Sequence, residues 1–173
     1  VWQWNSPRVY TESVQNKGVF DKRWLMWDRV KNSIALLNSD ALPKLFLAGK
    51  GRYVVSFHPY AYEPQFDYFG PVDYYLTDLH SQQTKLLFAK HSSNQLEVLP
   101  SPEGKYIMYF KDKNWWYYDL IKELHLPITK DMKVAFYDEL NDYIEDADAY
   151  GVVGWTANDR TVLFYDRYDL WEF

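Results

Sequence analysis

Residues 101–120 read SPEGKYIMYFKDKNWWYYDL, and this stretch decides the fold. In its first strand Tyr106, Met108 and Phe110 point to one face and Ile107 and Tyr109 to the other. Both faces are apolar, as in a sheet stacked between neighbours rather than one half open to water. The turn before it, SPEGK from Ser101, carries Pro102 and Gly104 where a tight connection needs a preset φ and then a permissive one. In its second strand alternation sends Trp115 and Tyr117 to one face and Trp116 and Tyr118 to the other, which suits packing on both sides. Working outward, QLEVLPS, KYIMYFKDK, NWWYYDL and ELHLPIT form four short strands joined by polar turns.

The same units recur along the chain. Apolar or aromatic residues followed by an acid appear as WLMWD ending at Asp28, YYLTD at Asp78, WWYYD at Asp119 and DLWE at Glu172. A turn followed by an alternating strand appears as KGRYVVSF from Lys50, EGKYIMYF from Glu103 and NDRTVLFY from Asn158. The acids at 78 and 119 sit where a hairpin turns into a final strand, and Asx-type hydrogen bonding suits them there. Four strands repeated every roughly 40–45 residues make a propeller blade, a sheet that protects its edges by packing against copies of itself. Longer periods here imply insertions, namely HPYAYEPQFDYFGPVD from His58 to Asp73 and YDELNDYIEDADAYG from Tyr137 to Gly151. Helical periodicity is weak throughout.

The expected fold is therefore all-β, a partial β-propeller of about three four-stranded antiparallel blades with inserted loops. It occupies 1–173 as a single segment, with approximate blades at 19–50, 51–95 and 96–130 and a partial one at 131–173. Tyr106, Met108, Phe110, Trp116 and Trp155 are expected in its interior, and the same packing role is expected of Trp2, Trp4, Trp24 and Trp27. The chain opens on Val1 without a methionine and closes at Phe173 within an aromatic run, which reads as an arc incomplete at both ends. Such an arc leaves apolar faces bare, so self-association through the terminal blades is expected.

Composition narrows the function. Of 173 residues 47% are hydrophobic and 20% aromatic, enough to bury a sizeable core and to exclude disorder as the main state. A net charge of -5 and a pI near 5.3 give no basic footprint, so nucleic acid is not an expected partner. There is no cysteine, which removes disulfides, thiolate nucleophiles and sulfur-bound zinc. No apolar run is long enough to span a membrane and no signal pattern opens the segment, so no membrane partner is expected and no compartment is indicated.

Candidate sites reduce to structural readings. Six carboxylates lie between Asp138 and Asp148. Asp146, Asp148 and Gly151 fit positions one, three and six of an EF-hand loop, but Tyr150 at position five and Ala157 at position twelve break the motif. A solvated acidic loop is the expectation, with a cation site or a contact to a neighbouring domain as alternatives. His58, His80, His91 and His125 lack ligand spacing and read as surface or turn residues. The AGKGRY stretch from Ala48 lacks the Walker spacing and reads as a hairpin turn. Trp115 to Tyr118 could form a sugar-stacking platform, but core packing explains the run better.

The stretch SPEGKYIMYFKDKNWWYYDL resembles the S-P-D-G-K blade of propellers related to TolB and to the N-terminal domain of dipeptidyl peptidases. AFYDELND from Ala135, with YGVVGWTANDRTVLFYDRYDLWEF from Tyr150, resembles the propeller of bacterial prolyl-oligopeptidase-family serine peptidases. The resemblance rests on Gly154-Trp155-Thr156 and on Tyr165 to Trp171, and covers chiefly the last two-thirds of the chain. It implies a hydrolase whose propeller covers an α/β-hydrolase domain and restricts access to a Ser-Asp-His triad. The implied partners are that C-terminal domain and a peptide substrate passing the propeller. No catalytic, cofactor-binding or metal residue is assigned here. No glycine is followed two positions later by serine, so the nucleophile elbow is missing, and no Glu-Glu pair is present to hold a substrate amino terminus. Two other functions fit the residues: a free-standing propeller binding protein or glycan, and a propeller glycosidase using a carboxylate pair such as Asp166 and Asp169.

Overall fold

A computed structural model describes residues 22–65 and 67–173, so Trp2 and Trp4 lie outside the described residues. Among these, secondary structure is thirteen strands and three short 3-10 turns of three residues each. Contacts divide the chain into two units, Val1–Phe46 with Val54–Ser93 and Leu47–Tyr53 with Asn94–Phe173.

In the first unit β1 (Leu25–Asp28) and β2 (Ser33–Leu36) form a two-stranded hairpin, with Leu25 opposite Leu36 and Asp28 opposite Ser33. A four-stranded sheet follows in the order β3 (Lys44–Ala48), β4 (Tyr53–Phe57), β5 (Pro71–Asp78), β6 (Gln83–Ser92). Its β3–β4 hairpin turns at Gly49–Gly51, the AGKGRY stretch, and that tip groups with the second unit. Strand β3 thus lies in the same sheet as β4, across the position 50/51 where the repeat spacing divides two blades. Phe57, Tyr74 and Phe88 are buried against one another, with ring centroids 4.8 and 5.0 Å apart. The β5–β6 pairing is irregular around Asp73, whose carboxylate accepts the Lys90 N–H at 2.9 Å and the Tyr62 hydroxyl at 2.9 Å. That contact anchors the insertion after β4 to the sheet it leaves.

In the second unit β7 (Val98–Pro100), β8 (Tyr106–Lys111), β9 (Asn114–Asp119) and β10 (Leu124–Pro127) form a four-stranded antiparallel meander. A three-stranded meander follows, β11 (Val152–Trp155), β12 (Val162–Tyr165) and β13 (Leu170–Glu172). The unit's core is Met108, Phe110, Trp115, Phe136, Val162 and Phe164. Trp115 lies 5.2 Å from both Phe110 and Phe164, ring centroid to centroid. The molecule is thus all-β, a partial β-propeller, with sheets of two, four, four and three strands among the described residues.

The strand-ending acids do what Asx chemistry requires. Asp28 Oδ1 accepts the N–H groups of Val30 and Lys31, Asp78 Oδ1 that of His80, and Asp119 Oδ1 those of Ile121 and Lys122 at 2.9 Å each. Glu172 differs: it ends β13 and accepts the Thr161 hydroxyl at 2.7 Å, while the turn before β13 is closed by Asp166, which accepts from Tyr168 and Asp169. For Asp119 burial acts to raise the carboxyl pKa, but the Lys122 and Ile121 N–H groups and the Lys122 ammonium outweigh it, so the net shift is downward from 3.8. A depressed native pKa means this stability is fully present above the unfolded value and is lost as pH falls through the lower native one. Asp119→Asn should therefore flatten the fall in stability below about pH 4, measured by urea unfolding across pH. An unchanged acid limb would remove Asp119 as its source.

Six expectations about burial need correction. Met108 and Phe110 are buried, but Tyr106, Trp116 and Trp155 are only half-buried. Trp116 keeps its ring near the rim, where Nε1 donates to the Lys111 carbonyl at 3.1 Å, and Trp115 takes the interior place. Trp24 and Trp27 are 54% and 60% exposed, because among the described residues the two-stranded hairpin offers them no second layer. His91, expected at the surface or in a turn, is buried beside Phe88 at 4.8 Å and Tyr74 at 5.9 Å.

Candidate functional site

The polar chemistry of the second unit concentrates where three turns meet: Gly49–Gly51, the SPEGK turn at 101–105, and Ala157–Asp159. Pro102 and Gly104 act as the sequence suggests, with Gly104 at φ +77 and its N–H donating to the Ser101 carbonyl at 3.0 Å. The centre of the cluster is Asp159, 4% exposed. Its Oδ2 accepts the Ser101 hydroxyl at 2.6 Å and the Lys105 N–H at 3.3 Å, and its Oδ1 accepts the Glu103 N–H at 3.0 Å. Ser101 Oγ in turn accepts from the N–H groups of Lys105 and Tyr106 at 3.0 Å each. On the other side Lys50 pairs with Glu103, and the Gly104 Cα side faces the backbone of Gly49 and Lys50. One buried carboxylate thus satisfies donors of a turn more than fifty residues away, as burial of a charge requires.

Beside this cluster opens a cleft of about 290 Å3. Tyr106, Tyr117, Trp155 and Phe173 give it aromatic walls, and Arg160 and Thr161 give it polar ones. Tyr106 and Trp155 are stacked with centroids 5.7 Å apart and planes 11° apart, so they line it as one block. No serine, cysteine, histidine or lysine lines the cleft. The lining suits binding of a small ligand.

Tyr117 and Trp155, singled out from sequence, line the cleft, while the acidic insertion lies elsewhere. Asp138, Glu139, Asp142, Glu145, Asp146 and Asp148 are exposed on a loop closed at its base by a Tyr137–Ala149 bridge. Among the described residues no three His, Cys, Asp or Glu side chains are grouped so as to hold a metal. Asp166 is committed to its own turn and to Trp171 Nε1, whose N–H donates to Oδ2 at 2.7 Å. Its carboxyl pKa is lowered, since burial's upward push is outweighed by the N–H groups of Asp169 and Tyr168 and by the Trp171 indole. His125 shares a 2.9 Å hydrogen bond with the Tyr109 hydroxyl, whose pKa is pushed up to about 12 by burial and by Asp112. NDRTVLFY is a turn and a strand, as its pattern predicts, but that pattern alone does not mark Asp159 or Arg160. The signal was the Asn158-Asp159 pair, both at positive φ, residue types that tolerate a left-handed turn.

Four-strand meanders, a recurring strand-ending acid and an S-P-x-G-K turn fitted against neighbouring turns define the class as a β-propeller segment. The chain belongs to the family described as the dipeptidyl peptidase IV (DPP IV) N-terminal region, which matches residues 49–169. Among solved structures it is similar to the crystal structure of Porphyromonas gingivalis dipeptidyl peptidase 4, at 13% identity and a TM-score of 0.46, over 75% of this chain and 23% of that one. The chain therefore spans less than a quarter of that protein's length. No curated protein matches it.

Proposed function

We propose that residues 1–173 form a single non-catalytic propeller segment that shapes access to the α/β-hydrolase site of a parent serine peptidase. The observation that carries this reading is the match to the DPP IV N-terminal region across residues 49–169, in a chain with no G-x-S-x-G elbow. Its partners are the C-terminal hydrolase domain of the longer chain and a peptide passing the propeller. Two measurements test it. The isolated chain should take up no fluorophosphonate probe, and stoichiometric labelling of a serine would overturn the assignment. In the longer protein, loosening the turn cluster with Asp159→Asn should raise cleavage of long peptides relative to a dipeptidyl nitroanilide. A folded variant with unchanged length preference would sink the gating role.

Self-association belongs to the same proposal. Leu25, Trp27, Ile34 and Leu36 on the β1–β2 hairpin are all more than half exposed, as is Trp24 beside it. Contiguous apolar surface of this kind tends to find a partner. Sedimentation across a concentration series should show mass rising with concentration, relieved by Trp24→Lys. A monomer at every concentration would count against it.

A further inference from the structure

We propose that the cleft lined by Trp155 and Arg160 binds an aromatic ring that carries a single carboxylate. Four acidic or basic side chains lie in or beside the cleft, and three are already engaged. The Lys105 ammonium donates to the Asn158 carbonyl beside it. Asp159 accepts from Ser101, Glu103 and Lys105, which commits its carboxylate to the turn cluster. Glu172 is held by the Thr161 hydroxyl and does not line the cleft. Arg160 lines it, is exposed, and has no ion-pair or hydrogen-bond partner among the described residues.

An unpaired guanidinium at an aromatic-walled cleft selects against a cation. Its planar fork matches a carboxylate in a bidentate pair. With Arg160 the one cation in the lining, a monoanion is matched, and a dianion such as a phosphate monoester leaves excess negative charge beside Asp159. The rest of the lining specifies the ring. Tyr106 and Trp155 form one stacked block, and Tyr117, Pro127, Ile128 and Phe173 add apolar surface. A volume of about 290 Å3 lies at the small end of ligand sites, which suits one ring and its carboxylate rather than an extended chain. Such a ligand has two sources, a free aromatic acid or the C-terminal residue of a peptide.

The test uses the 173-residue chain and calorimetric or saturation-transfer titration. N-acetyl-L-phenylalanine and the tripeptide Ala-Ala-Phe are the probes. N-acetyl-L-phenylalaninamide lacks the charge and N-acetylglycine lacks the ring. Saturable binding of the acids is expected near about 1 mM, with both controls at least about tenfold weaker. Arg160→Gln, a surface change whose fold is checked by circular dichroism, should weaken the acids about tenfold. Arg167→Gln, at an exposed turn outside the cleft, should leave binding unchanged. Tighter binding of the tripeptide assigns the site to peptide C-termini, and the reverse order assigns it to free acids; either supports the proposal. Equal binding of acid and amide, an unaffected Arg160→Gln, or no saturation by any probe would overturn it.

Discussion

Trp115→Ala should cost the second unit about 3–5 kcal/mol, the range for deleting a large aromatic from a packed interior. Trp115 is 0% exposed and sits between Phe110 and Phe164 in a cluster that also holds Met108, Phe136 and Val162. Its backbone is tied as well: its N–H donates to Thr129 Oγ1 at 2.9 Å, and its carbonyl accepts the Ile128 N–H at 2.8 Å. Rigid rings on several elements cannot close around the space an indole leaves, so the cavity persists. The indole Nε1 has no hydrogen-bond partner among the described residues, so Trp115→Phe forfeits volume without a polar contact and should cost much less. Trp116→Ala is the internal control, since that ring is half-buried and touches Tyr109 at 6.5 Å. Urea unfolding followed by circular dichroism should place the midpoints in the order wild type, Trp116→Ala, Trp115→Ala. Equal loss from the two alanine variants would mean that the buried cluster does not hold this unit together.

That neighbouring tryptophans differ so much explains what the sequence could and could not show. Period-two alternation separates Trp115 from Trp116 and marks the strand, because a pleated backbone sends successive side chains to opposite faces. It cannot say which face meets a second layer. Here Phe136, outside any strand, and Phe164 on β12 complete the layer over Trp115. Both lie far from it in sequence. The same limit applies at Trp24 and Trp27: the apolar pattern is that of a sandwiched strand, yet the two-stranded sheet leaves those rings in water. Turn chemistry was more legible, because it is local. Asp28, Asp78 and Asp119 close the turns that follow them through backbone N–H groups two or three residues on. Asp159 was illegible for the opposite reason. Its partners at Ser101, Glu103 and Lys105 come from another repeat, and no spacing rule within one turn points to them.

Gly104→Ala should be the most damaging exchange among the turn glycines, and the comparison with Gly49 and Gly51 separates two causes. All three have positive φ, at +77, +59 and +84 respectively, so each alanine incurs a left-handed backbone penalty of about 1–2 kcal/mol. Gly51 has open space around its would-be Cβ, and its variant should show that penalty alone. At Gly49 the new methyl would meet the Tyr53 ring at 2.5 Å, a side chain that can rotate away at modest further cost. At Gly104 the methyl would lie 2.4 Å from Gly49 Cα and 2.6 Å from Lys50 N, and backbone cannot step aside without separating the turns. Separation there also pulls on the Lys50–Glu103 pair and on the Glu103 and Lys105 N–H groups bound to Asp159. Overpacking of this kind adds about 1–3 kcal/mol to the backbone term, for a total of about 2–5 kcal/mol. Urea midpoints should therefore fall slightly for Gly51→Ala, somewhat more for Gly49→Ala and steeply for Gly104→Ala. A double variant offers the sharper check: once Gly104→Ala has parted the turns, Asp159→Asn should cost less than it does alone, a coupling that independent turns would not show. Three glycine variants of equal stability, or strictly additive losses in the double variant, would mean that the turns do not bear on one another and that the close approach of Gly104 to Gly49 carries no energetic weight.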